Sequence, residues 1–232
     1  GKGGDRVNLR VPEEDVALIK ALSETGKKLV VNVMGGSAYV IKEWSDSADA
    51  ILFSFYSGLE GGNALADVIS GDVNPGGKLP FTIANDDEDY PSFLRIEDST
   101  REIDYGYYHG YTLFDKKGIE PQYPFGYGLS YTDFEIENER VSQTENTIVV
   151  SADVKNIGSV DGDEVLQIYV SSENAEQDKP VKLLKGFKRV SVKAGESVSA
   201  KVEIDLEDIK FYNAETGEWE LDKSYTILAG TN

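Results

Sequence analysis

The 232 residues supply reactive side chains unevenly: 42 carboxylates stand against 23 Lys and Arg, with one His and no Cys. That one imidazole, His109, lies among Tyr105, Tyr107, Tyr108 and Tyr111, with Asp104 just upstream. It could act as a general base oriented by Asp104, but a lone His in an aromatic run equally reads as a packing or hydrogen-bonding residue. The tyrosines could stack on the apolar faces of sugar rings, or serve core and interface packing. Asp86-Asp87-Glu88-Asp89 offers oxygen ligands for a hard cation, yet lacks the spaced ligands and central Gly of a calcium loop; it reads as a solvated acidic turn. Gly58-Leu59-Glu60-Gly61-Gly62 sits where a doubly wound fold would hold a phosphate, but the spacing is not GxGxxG and Glu60 would repel an anion. A tight turn with close backbone approach is the better reading. Asp5-Arg6, beside Gly1, Gly3 and Gly4, could form a charge-assisted pair that fixes a loop.

Composition closes other routes. Without Cys and with a single His, disulfide frameworks, thiolate nucleophiles and His/Cys zinc sites are excluded, and a His-paired Ser could use only His109. A net charge of -19 argues against binding a phosphate backbone, which needs a basic surface. No apolar run approaches the ~20 residues of a membrane span, and no basic-then-apolar leader opens the chain. No metal, cofactor, nucleic acid or membrane is implied.

The elements that must position these residues fall into two grammars. Pro12 followed by Glu13, Glu14 and Asp15 predicts a helix start, Val16, Ile19 and Leu22 repeat at helical spacing, and Gly26 ends the run. Leu29–Met34 and Ala50–Phe55 are apolar runs that predict buried parallel strands. A short helix is expected from Ser37 through Trp44, another from Asn63 to Ser70, and a third strand from Lys78 to Ile83. This βαβ rhythm implies an open α/β layer. Three strands are few for it, and the expectation is that part of the domain lies upstream of Gly1.

From about Thr132 the period becomes two. Strands are predicted at Phe134–Arg140, Thr147–Asn156, Glu164–Ser171, Leu183–Val192, Ser197–Ile204, Ile209–Tyr212 and Tyr225–Ala229, a sandwich pattern. The segment between, Asn85 to Glu120, reads as an irregular surface connection. The expected division is an α/β portion over 1–84, a connecting segment over 85–131 packed on it, and a β-sandwich over 132–232.

Four stretches together resemble the C-terminal part of glycoside hydrolase family 3, of the β-glucosidase and β-xylosidase type. Gly4-Asp5-Arg6-Val7-Asn8-Leu9 with Val11-Pro12 is similar to the family's x-Asp-Arg-x-x-Leu-x-Leu-Pro. Glu60-Gly61-Gly62-Asn63-Ala64-Leu65-Ala66-Asp67-Val68 resembles E-G-G-N-A-x-A-D-V. Gly71-Asp72-Val73-Asn74-Pro75-Gly76-Gly77-Lys78-Leu79-Pro80 resembles G-D-x-N-P-S-G-K-L-P with Gly76 for Ser, and Pro124-Phe125-Gly126-Tyr127-Gly128-Leu129-Ser130-Tyr131-Thr132 matches the junction motif. The resemblance covers essentially the whole chain. The family often has Gly-Tyr-Arg-Tyr-Tyr-Asp where this chain has Gly110-Tyr111-Thr112-Leu113-Phe114-Asp115.

The resemblance implies the second half of an α/β-sandwich domain, a mainly parallel sheet with helices on both faces. An immunoglobulin/fibronectin III-like β-sandwich follows it. It implies a retaining exo-β-glycosidase, whose chemistry needs two carboxyl groups about 5–5.5 Å apart. The nucleophile Asp belongs to an upstream TIM-like barrel. The acid/base Glu of the family falls at Lys2 or before Gly1, and an ammonium with an ordinary pKa of ~10.4 is a poor replacement. The chain itself is therefore expected to hold no catalytic residue. Asp5 and Arg6 would flank the acid/base loop, and Tyr107, Tyr108 and His109 would be outer sugar contacts. Implied partners are β-linked glucosides, the N-terminal barrel and the first half of the α/β domain; whether the protein is a homo-oligomer stays open from the sequence. The alternative from another class is a non-catalytic carbohydrate-binding or structural module. Either a cytoplasmic or a secreted protein fits.

Overall fold

The computed structural model describes residues 8–91, 106–173 and 178–231, and most of its elements follow from local pattern. Helix α1 (Glu13–Ser23) has Pro12 at its N-cap, three carboxylates in its first turn and Lys20 in its last, the arrangement its dipole favours. Its one buried side chain is Val16. Strands β1 (Val30–Val33) and β2 (Ala50–Phe53) run parallel, with Val30 opposite Ala50 and Val33 opposite Phe53. Helix α2 (Gly61–Ser70) stops at Gly71, whose φ of 84° only Gly adopts without strain. The described residues divide into two compact groups, 8–72 with 80–91 and 106–125, and 73–79 with 126–173 and 178–231.

Three expectations in the first group fail. The segment Ser37–Trp44 forms no α-helix; the chain turns there and makes one 3-10 turn at Ser45–Ser47. Lys78–Ile83 is not a strand, because only Ile83 finds a ladder partner, Tyr123, in an isolated antiparallel bridge. The connection Asn85–Glu120 is not wholly irregular: it contains α3 (Gly110–Lys117), which buries Thr112, Leu113 and Phe114. Gly118 ends α3, and Tyr90 meets Phe114 edge-on at 5.9 Å. The core of this group is Val16, Val40, Ile41, Trp44, Ile83, Ala84, Leu113 and Phe114.

The second group is a β-sandwich. One sheet orders β10-β5-β6 and the other β3-β4-β7, where β3 is Phe134–Gln143, β4 Thr147–Asn156, β5 Gly162–Ser172, β6 Leu183–Val192, β7 Ser197–Asp205 and β10 Tyr225–Gly230. Strict alternation along β4 sends Ile148, Val150, Ala152 and Val154 inward, and β7 answers with Ala200, Val202 and Ile204. From the other sheet come Leu166, Ile168, Val170, Val190 and Val192. Each fully buried aliphatic side chain here contributes about 1.5–3 kcal/mol. The expected strand at Ile209–Tyr212 is shifted: Leu206–Ile209 is a 3-10 turn, and β8 (Phe211–Asn213) pairs with the unforeseen β9 (Glu218–Glu220).

Val73–Leu79 and Gly126–Tyr131 group with the sandwich. The chain thus passes between the groups three times, at 72/73, 79/80 and 125/126. Hydrogen bonds supply the reason: Gly126 N donates to Leu79 O at 2.7 Å and Leu79 N to Tyr127 O at 2.8 Å.

Candidate functional site

Asp5 and Arg6, like Lys2, Asp104 and Tyr105, lie outside the described residues. The segment that follows Asp5-Arg6 is held firmly. Leu9 O accepts from Val40 N, and Arg10 forms a parallel bridge with Val40. The Arg10 guanidinium donates to Asp86 at 2.8 Å and pairs with Asp87 at 3.4 Å, while Leu9 N donates to Asp87 Oδ1. Asp86, anticipated as part of a solvated turn, also caps its own 3-10 turn: its side chain accepts from Glu88 N, and Asp86 N donates to Asp89. The Glu88 amide first and Arg10 second hold the Asp86 carboxyl below the usual range. The Asp86 hydrogen bond raises the Arg10 guanidinium further. The acidic run is therefore a clamp on the leading segment. Among the described residues no group of three or more His, Cys, Asp or Glu could hold a metal.

The Gly58–Gly62 turn is built for close approach. A Cβ on Gly61 would lie 2.7 Å from that of Ser57, and Asn63 donates to the Glu60 carboxylate at 2.6 Å, beside the start of α2. Tyr107 and His109 are exposed at the approach to α3. Tyr107 meets Tyr108 edge-on at 5.0 Å, and the Lys116 ammonium lies 5.2 Å from the Tyr108 ring centre. His109 acts through its backbone: its carbonyl accepts from Thr112 Oγ1 at 2.7 Å. Tyr111 packs on Phe125, 4.9 Å between centroids.

Two motifs read separately in the sequence meet in the sandwich group. The Asn74 amide donates to Asp161 O and accepts from Ser130 Oγ and Tyr131 N. Lys78 pairs with Glu164 at 2.8 Å, their side chains 13% and 7% exposed, and donates to Gly128 O. Gly128 lies so close to the Gly77 carbonyl that no side chain fits there. Gln167, buried on the outer side of β5, donates to Gly126 O and Thr231 O. Neither the Arg10 clamp nor the Lys78–Glu164 pair was anticipated. The only signal was opposite charge, at separations of 76 and 86 residues.

Residues 1–131 match the family model "Glycosyl hydrolase family 3 C-terminal domain", and residues 164–232 match the "Fibronectin type III-like domain". The chain belongs to glycosyl hydrolase family 3. It is 37% identical to thermostable β-glucosidase B of Acetivibrio thermocellus over 99% of its own length and 31% of that protein's. It is 37% identical to an exo-α-(1->6)-L-arabinopyranosidase of Bifidobacterium longum over 100% of its own length and 31% of that protein's. The crystal structure of a family 3 β-glucosidase from Bifidobacterium adolescentis superposes with a TM-score of 0.92 at 37% identity, covering 100% of this chain and 35% of that one. The chain spans about a third of the length of the curated relatives it matches. As a family 3 chain it has the predicted fold class, α/β followed by an all-β sandwich.

Proposed function

We propose that this chain is the C-terminal portion of a retaining exo-β-glycosidase that removes terminal non-reducing β-D-glucosyl residues. In this reading the nucleophile Asp and the acid/base Glu both lie upstream of Gly1. The observation that carries it is the coverage: full-length similarity on this side, about a third on the relatives' side. Relatives named for other sugars are matched too, but β-glucosidases from bacteria and yeast are the recurrent names. The carboxylates gathered at Asp86, Asp87 and Asp89 are already engaged with Arg10 and backbone amides, which fits a chain whose reactive acids are elsewhere.

Within that enzyme, Asp5 and Arg6 would flank the acid/base loop, and the Arg10 clamp would fix the base from which it departs. Tyr107, Tyr108 and His109 would be outer sugar contacts, Tyr107 being 68% exposed. The required partners would be the N-terminal barrel and the first half of the α/β domain. Helix α2 has no buried residue, and β1 and β2 are only half-buried. Such faces call for cover. The test is hydrolysis of an aryl β-glucoside, which this chain alone should not catalyse and the chain joined to its N-terminal part should. Strong activity from the isolated chain would defeat the assignment.

A further inference from the structure

The sandwich carries an aromatic surface that neither its core nor the family motifs use. In the hairpin β8–β9, Tyr212 stands directly opposite Trp219, with ring centroids 5.8 Å apart and planes at 61°. Alternation puts these two rings on one face and Phe211, Asn213, Glu218 and Glu220 on the other. The second face is where the hairpin is fastened. The Lys179 ammonium lies 3.2 Å from the Phe211 ring centre and pairs at 2.5 Å with Asp222, whose side chain is 4% exposed. Glu220 accepts from Asn213 Nδ2 at 3.1 Å and Thr216 Oγ1 at 2.5 Å. Held from behind, the first face stays open: Tyr212 is 56% and Trp219 64% exposed. Cross-strand aromatic packing stabilises a hairpin, but that alone does not require both rings to face water.

Size and charge select the occupant. The exposed parts of two such rings offer roughly 250 Å², against the ~800 Å² per side of a standard stable protein interface. From Tyr212 to Asp222 the chain carries Glu215, Glu218, Glu220 and Asp222; of the nearby cations, Lys179 is paired with Asp222 and Lys210 with Glu207, Lys223 follows directly, and the protein's net charge is -19. Nucleic acids, acidic lipids and acidic polysaccharides are repelled from such a surface. A small, uncharged molecule with apolar C–H faces and many hydroxyl donors fits it. We propose that the Tyr212–Trp219 face binds a neutral saccharide chain, one or two sugar residues at a time. The exposed rings take the apolar sugar faces. The proposal is independent of where the catalytic acids lie.

The protein has two Trp, and Trp44 is 1% exposed. Acrylamide quenching of the 232-residue chain therefore reads Trp219. Cellohexaose and maltohexaose are the probes, with polygalacturonate as the anionic control. At least one hexaose should shield Trp219 with a millimolar midpoint. Tyr212→Ala should weaken that about fivefold or more, while Tyr212→Phe, which keeps the ring, should retain it. The proposal is overturned by unchanged quenching up to about 20 mM of either hexaose, by equal shielding from polygalacturonate, or by shielding that Tyr212→Ala leaves intact. Loss in Tyr212→Phe as well, or shielding that grows with protein concentration without sugar, would also overturn it, the last by assigning the face to a second copy.

Discussion

Replacing Lys78 by Met tests how the sandwich is sealed. Lys78 and Glu164 form a pair at 2.8 Å with 13% and 7% of their side chains exposed, and Lys78 also donates to Gly128 O. Lys78→Met keeps the apolar stem but leaves a buried carboxylate without its cation. Breaking a buried pair in this way costs about 3–5 kcal/mol. With a urea m-value of about 2 kcal/mol/M, the midpoint of the sandwich transition should fall by roughly 1.5–2.5 M. Lys78→Met combined with Glu164→Leu removes the stranded charge and should recover most of the loss. About 1 kcal/mol should remain missing for the unpaired Gly128 carbonyl. The measurement is urea unfolding of the 232-residue chain by circular dichroism, at low and high salt, since a buried pair is little screened. A shift below about 0.5 M for the single variant, or a double variant no more stable than the single, would show that the pair does not close this junction.

Three further outcomes are expected. Asn74→Ala removes acceptance from Ser130 and Tyr131 and donation to Asp161, and should cost about 2–3 kcal/mol in the same unfolding experiment. A fragment beginning at Thr132 lacks Lys78 and Gly126, the partners of Glu164 and Gln167. It should melt without a cooperative transition, whereas the 232-residue chain should show one for the sandwich. The Asp86 carboxyl, held low first by the Glu88 amide and then by Arg10, should titrate by NMR below the ordinary ~3.9. Because its folded pKa is depressed, its contribution is present above the unfolded value and lost as pH falls through the folded one. In Arg10→Ala the Asp86 pKa should rise but stay low, since the Glu88 amide remains.

The sandwich was legible because a half-buried strand writes its period into consecutive residues. Thr147–Asn156 and Leu183–Val192 appear with the predicted ends. Lys78–Ile83 misled because its apolar run looks like a strand while Leu79 spends its backbone groups on Gly126 and Tyr127. Helix α3 was hidden in a Tyr-rich stretch, although Lys116-Lys117-Gly118 is a serviceable helix end. Of the residues singled out for the site, Tyr107 is exposed, His109 serves α3 through its backbone, and the acidic run is a clamp.

Amino-acid order was sufficient for the fold class, the family motifs and the scarcity of reactive groups, because composition and short-range periodicity are carried within a few residues. Tertiary structure alone decided that Arg10 belongs to Asp86 and Asp87, that Lys78 belongs to Glu164, and that Val73–Leu79 joins the sandwich. Those pairings span 76 to 86 residues, and any of the 42 carboxylates could have answered either cation. Only the path of the folded backbone, which sets distance and excludes water, selects among them.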